Sequence, residues 1–182
     1  MLLCIWAAPT VAAQLAFAVN DWCPYICTKS GTIRGILVDV ISEVFPPPGY
    51  EVRFRALPFT RAIDQVRHNQ AQAMVGVIKP VAPDFVFPAE PVVHTQFCFF
   101  TRKEKRWVFS GFSQPQSLHI GLAAGKKIDA RFDVAFPNTT RVLGEHAITE
   151  RLFGMLQMHR LDAVLEDRVH VLYSLDAVEL DR

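Results

Sequence analysis

At 182 residues, 51% of them hydrophobic and 20% charged, the chain has enough apolar surface for one or two compact units and too much for a disordered polymer. Nineteen lysines and arginines against eighteen acids give a formal net charge of +1, and there is no long basic run. That balance excludes an electrostatic case for nucleic acid or an anionic membrane surface as partner.

The opening residues, 1–13, are apolar, too short to span a bilayer, and end in small side chains at Val11 and Ala13. They read as the remnant of a secretory signal cut after Ala13, with a buried first strand as the alternative. Leu15 to Val19 then alternates as a strand does and leads into Asp21-Trp22-Cys23-Pro24-Tyr25. Pro24 between two aromatics marks a rigid loop rather than a strand interior. Open α/β sheets bind ligands at the carboxyl ends of their strands, so Trp22 and Tyr25 are candidates for a ligand wall, with core packing as the competing role.

Ile36, Leu37, Val40, Ile41 and Val44 share one face at helical spacing, and Pro46-Pro47-Pro48-Gly49 stops that helix. Tyr50, Val52, Phe54 and Ala56 alternate with Glu51, Arg53 and Arg55, the pattern of a half-buried strand. Pro58-Phe59-Thr60 forms a turn, with Thr60 the expected N-cap of a helix whose inner face carries Ala62, Ile63 and Val66. Ala73 to Ile78 reads as a short buried strand. The alternation of strand and helix predicts a mostly parallel sheet covered on both faces.

Prolines at 80, 83, 88 and 91 forbid regular structure between Lys79 and Pro91, so a loop crosses the edge of the first unit there. Thr95 to Thr101 is a further apolar strand. It leads into Arg102-Lys103-Glu104-Lys105-Arg106, expected as the exit from the first unit and otherwise a solvated turn. After Trp107 come a strand at His119 to Leu122, a glycine-containing loop, a polar helix and a strand at Arg141 to Leu143. A helix follows from Ala147 to His159, with Ile148, Leu152, Phe153 and Leu156 as its buried stripe. Ala163 to Leu165 is a last buried strand, and Asp167 to Tyr173 turns back as a helix. Two α/β lobes, 14–104 and 105–182, thus meet at a strand-like hinge and form a cleft that can close by rigid-body motion.

Cys4 leaves with the signal, and an exported chain permits a disulfide among Cys23, Cys27 and Cys98. Cys23 and Cys27 can pair if the turn between them brings their Cα atoms within bridging distance, which leaves Cys98 as a buried thiol in an apolar strand. No histidine stands at a zinc-like spacing from these cysteines, so neither metal nor cofactor is expected. The sequence carries no Gly-x-Ser-x-Gly elbow, no glycine-rich phosphate loop and no His-Glu-x-x-His pair, its acids are scattered, and its six histidines are isolated. A binding protein is therefore expected rather than an enzyme.

Six runs carry a resemblance: Asn20-Asp21-Trp22-Cys23-Pro24-Tyr25, Gly35-Ile36-Leu37-Val38-Asp39, Leu57-Pro58-Phe59-Thr60-Arg61-Ala62, Pro83-Asp84-Phe85-Val86-Phe87-Pro88, Ser117-Leu118-His119-Ile120-Gly121 and Arg160-Leu161-Asp162-Ala163-Val164-Leu165-Glu166-Asp167. In this order and spacing the chain resembles the extracellular solute-binding proteins of polar amino acid ABC transporters, family 3 type. The closest likeness is to a proteobacterial subfamily with an aspartate and a phenylalanine-proline run in the crossing loop. The resemblance implies an α/β, type II periplasmic-binding-protein-like fold of two lobes. It also implies capture of a small polar, amino-acid-like solute, membrane ABC permease subunits as partners, a monomer and a periplasmic location. In such proteins the chain crosses back to finish the first lobe, whereas this sequence stops at Asp181-Arg182, so the return segment is expected to be missing and a sheet edge of the first lobe to be left open.

The binding mode implied by the resemblance sets the ligand's apolar body between Trp22 or Tyr25 and Phe59, with backbone groups of Gly76 and Val77 at a strand end. Asp167 would accept hydrogen bonds from an ammonium group, or else cap a helix. The likeness departs at two places. Pro80-Val81-Ala82-Pro83-Asp84 lacks the arginine that grips a ligand α-carboxylate, leaving Lys79 and Arg61 as substitute cations, and Ala123-Ala124-Gly125-Lys126 replaces a Gly-Thr-Thr-like loop. The same fold also resembles cyclohexadienyl dehydratases, the regulatory half of some lytic transglycosylases and the sensory ectodomains of signalling proteins.

Overall fold

The structure, a computed structural model, describes residues 12–29, 31–47, 49–113, 116–126, 128, 130–144 and 147–177. The expected signal segment thus lies outside the described residues as far as Val11, and Ala13 opens the first strand.

The first unit is built around β1 (Ala13–Val19), whose carboxyl end leads through the Trp22–Cys27 loop into α1 (Ile36–Val44). Then come β2 (Tyr50–Ala56), α2 (Phe59–Arg67) and β3 (Ala73–Met74). The sheet order is β2-β1-β3, with both neighbours parallel to β1 and Phe17 level with Phe54 and Ala73. A central parallel strand is buried on both faces, which is why β1 reads as a nearly continuous apolar run. Phe17 and Val19 enter a core with Tyr25, Ile26, Leu37, Val38 and Val75, while Ala18 faces Ala62, Ile63, Ala71 and Met74. Helix α1 covers one face and α2 the other; burying a side chain such as Phe17 contributes roughly 1.5–3 kcal/mol.

The second unit contains β4 (Phe97–Thr101), β5 (Ile120–Ala123), α3 (Ala130–Ala135), β6 (Thr139–Val142), α4 (Ile148–Gln157), β7 (Ala163–Asp167) and α5 (Arg168–Ala177). Its sheet order is β4-β7-β5-β6, parallel except for the antiparallel pair of β4 with β7. Ile120, Leu122, Ala163 and Leu165 face Phe132, Ala135 and Phe136 on one side. On the other side Val142 and Val164 meet Leu152, Leu156 and Leu161. Sheets flanked by helices and dominated by parallel pairs are the architecture expected from the sequence.

Several local expectations change. Helix α1 buries Leu37 and Val38 with Ile41 packed behind them, while Ile36 and Val44 are exposed. Its rotation is set by its first turn, where the Ile36 and Leu37 N–H groups donate to the carbonyls of Pro24 and Tyr25. Thr60 does not cap α2; Pro58 holds that position, and its carbonyl accepts the Ala62 N–H. Strand β3 stops at Met74 rather than Ile78, because Gly76 turns the chain at φ +80°.

The strand before the charged run, expected in the first unit, hydrogen-bonds in the second sheet as β4. Two residues of the charged run, Arg102 and Lys105, are anchored, while Lys103, Glu104 and Arg106 are exposed. Arg102 donates 2.8 Å bonds to the carbonyls of Leu156 and Leu161, and Lys105 lies 2.5 Å from Asp162. Cys98 is half-buried on β4, not fully buried.

Candidate functional site

The loop after β1 is held by its own bonds. Trp22 and Ile26 exchange backbone hydrogen bonds of 2.7 and 3.0 Å, and Cys27 pairs with Arg34 in the same way. Cys23 and Cys27, with Cα atoms 4.8 Å apart, form a disulfide across the turn. The Asp21 carboxylate accepts from both the backbone and the hydroxyl of Thr28. Ordering of this kind places the Trp22 and Tyr25 rings against each other at 4.4 Å between centroids, tilted by 40°.

Gly76 follows the end of β3 and lies under the indole. A Cβ there would stand 3.3 Å from the Ile26 side chain and 3.4 Å from the Trp22 ring. Phe59 and Val77 sit against the α2 face of the sheet. Arg61 and Lys79 are exposed and hold no hydrogen bond or ion pair to the described residues.

The second unit meets this surface with the carboxyl ends of β5 and β7, the edge at which α/β sheets place ligands. Gly125, after β5, approaches the Phe59 ring and the Thr60 methyl. Asp167, the last residue of β7, is completely buried. Its Oδ1 accepts the His170 N–H at 2.8 Å, the N-cap bond of α5. Its Oδ2 is buried without a hydrogen-bond partner. Burial raises the Tyr25 phenol above its ordinary value, and the neighbouring Asp167 carboxylate raises it further, by its charge and as a hydrogen-bond acceptor facing the phenol, so Tyr25 is the side chain nearest to serving the carboxylate. The Trp22 indole N–H is a second buried group without a partner.

Three groups not singled out from the sequence complete the junction. Glu166, 2% exposed, pairs with Lys126 and also accepts the Asp167 N–H at 2.8 Å. His170 reaches across to the Cys23 carbonyl with Nδ1 at 2.6 Å, and its Nε2 stands 2.9 Å from the Thr149 hydroxyl. A carbonyl only accepts, so Nδ1 carries a proton. On the rim Lys29 pairs with Glu150 at 3.1 Å. Of these, only Glu166 left a trace in the sequence, as a charge ending an apolar strand; the partners of His170 and Lys126 lie 147 and 40 residues away.

The structure therefore brings Trp22, Tyr25, Gly76 and Asp167 to one junction and sets Phe59 beside Gly125. It leaves Arg61 and Lys79 in solvent. Among the described residues no group of three or more histidine, cysteine or acidic side chains could hold a metal ion, and no helix is long and apolar enough to cross a membrane.

No protein-family model and no curated protein sequence matches the chain. Solved structures do. A truncated, arginine-bound ArgBP from T. maritima superposes with a TM-score of 0.69 at 15% identity, over 92% of this chain and 79% of that one. A substrate-binding protein of an ABC uptake transporter from Streptococcus pneumoniae, with bound histidine, gives 0.72 at 15% identity, over 92% and 71%. An ancestral amino acid-binding protein described as a precursor of cyclohexadienyl dehydratase gives 0.71 at 16% identity, over 91% and 75%. The chain has the fold of these proteins, the type II periplasmic-binding-protein architecture.

Proposed function

We propose that this protein is an exported receptor that closes two lobes on a small polar solute bearing an amine and presents it, as a monomer in the periplasm, to membrane ABC permease subunits. The reading is carried by the Asp167 carboxylate, fully buried at the junction of the units with one oxygen committed to α5 and the other unpartnered. A buried charge left unpaired is costly, and an ammonium group bonded to Oδ2 removes that cost.

Trp22 and Phe59 supply flat apolar surface, and Gly76 and Val77 supply backbone groups at a strand end. Arg61 and Lys79 serve as solvated charges outside the junction. Binding rather than catalysis is supported by how the other ionisable groups are spent: Lys126 holds Glu166, and Cys23 and Thr149 hold His170. Neighbours of the same fold with bound arginine and histidine support a small polar ligand. Contacts made to both lobes at once are what shift the population toward the closed form.

Thermal unfolding against a panel of small polar amines tests this, with a ligand-dependent rise in Tm expected. Asp167→Asn preserves the helix cap and removes the charge, so it should weaken the best ligand by about 1.5–3 kcal/mol, roughly 10- to 150-fold in Kd. A flat response across the panel contradicts the receptor reading; unchanged affinity in Asp167→Asn reduces that residue to a cap.

A further inference from the structure

Resting on the receptor reading above, we infer that the cleft selects a cationic amine without a carboxylate, and that Glu166 sets this selectivity by neutralising Lys126. The inference comes from counting charges where the two units meet. Lys126 follows Gly125, the residue that approaches Phe59 of the opposite unit, and is therefore, among the described cations of the second lobe, the one best placed to receive a ligand carboxylate. It is already taken. Its ammonium pairs with the Glu166 carboxylate and lies 5.1 Å from the centre of the Phe97 ring.

Glu166 is in turn buried, and the same Oε1 that takes the lysine also accepts the Asp167 N–H, which holds the carboxylate in place against the lysine. Lys29 is engaged by Glu150 at 3.1 Å and Asp21 at 3.8 Å. His170 spends its Nδ1 proton on the Cys23 carbonyl. Arg61 and Lys79 are exposed, where water and salt screen them.

What remains for a ligand near the junction, among the described residues, is two buried acceptors, Asp167 Oδ2 beside the Tyr25 phenol and Asn20 Oδ1 at the end of β1, and the neutral indole N–H of Trp22. Glu166, Asp167 and Lys126 sum to one net negative charge. An ammonium group satisfies that excess. A carboxylate carried on the same ligand would enter beside two acids with no buried, uncommitted cation among the described residues to meet it, Arg168 after Asp167 being exposed to solvent, and its desolvation would go unrewarded. This distinguishes the chain from neighbours of the same fold that hold intact arginine or histidine.

Calorimetric titration of the full chain with matched pairs tests the inference: cadaverine against lysine, agmatine against arginine, and histamine against histidine. In the pair that binds most tightly the amine should exceed the amino acid by about tenfold or more in affinity. Tighter binding of the amino acid overturns the inference and leaves the receptor reading standing, whereas binding of neither member in any pair overturns both. Glu166→Gln should free Lys126 and move the ratio toward the amino acid by about tenfold; an unmoved ratio removes Glu166 from the explanation. Should that variant fail to fold, the double variant Lys126→Met, Glu166→Gln replaces the ion pair with neutral side chains. It should keep the preference for the amine, and loss of that preference counts against the account.

Discussion

Gly35 shows how little freedom the loop beneath the site has. Its φ is +133°, and a Cβ there would stand 2.5 Å from the Tyr25 carbonyl oxygen and 2.7 Å from that of Pro24, both backbone atoms. A backbone wall does not yield as a flexible side chain does, so Gly35→Ala should cost on the order of 3 kcal/mol, with the loop bearing Trp22 and Tyr25 displaced. Chemical denaturation measures the loss, and a variant as stable as the parent contradicts this account of the loop. The aromatic pair was legible in the sequence because Pro24 stands between the two rings. Asp167 was legible only as two competing roles, ligand acceptor or helix cap; the geometry commits Oδ1 to the cap and leaves Oδ2 for the role proposed above.

At the scale of elements, β1 follows from its apolar run, buried from Phe17 to Val19, and β2, with Val52 and Phe54 turned inward, follows from two-residue alternation. Helix rotation and strand length do not. Contacts from the Pro24 and Tyr25 carbonyls turned α1, and Gly76 ended β3 early. The crossing loop is held by a bidentate pair from Arg67 on α2 to Asp84, with both distances 2.9 Å.

Hydrogen bonds from Arg67, aided by the backbone, hold the Asp84 carboxyl down to about 2. A depressed folded-state pKa gives stability that is fully present above the unfolded value, near 4, and lost as pH falls toward 2. The wild type should therefore shed this contribution across that window, and Asp84→Asn should lack that part of the acid limb. Denaturant midpoints measured from pH 5 to pH 2 check it; parallel curves for the two proteins contradict it. Because the pair is exposed, solvent screening keeps this contribution small, so the two curves should diverge only modestly between pH 4 and pH 2.

For the whole molecule, the two units are joined across the junction by His170 and the Cys23 carbonyl, by Lys29 and Glu150, by Tyr25 beside Asp167, and by Gly125 against Phe59. None of these pairings is visible in sequence, since each depends on how the two sheets face one another. The Lys29–Glu150 pair is half exposed and steers more than it holds. The His170 bond is partly buried and neutral on the acceptor side, so it is the better clasp. If the closed form is the one that retains ligand, His170→Ala should speed release and weaken binding by about 0.5–1.5 kcal/mol, roughly 2- to 12-fold. Stopped-flow dissociation rates report it directly, and an unchanged rate contradicts a role for this contact in closure.

The central claim is that a buried carboxylate waits between two lobes for an ammonium group. Determining a crystal structure with the tightest amine from the titrations tests it most directly. The account predicts the ligand between Trp22 and Asp167, its nitrogen about 2.7–2.9 Å from Oδ2. A ligand bound elsewhere, or one whose nitrogen leaves Oδ2 still unpartnered, would contradict it.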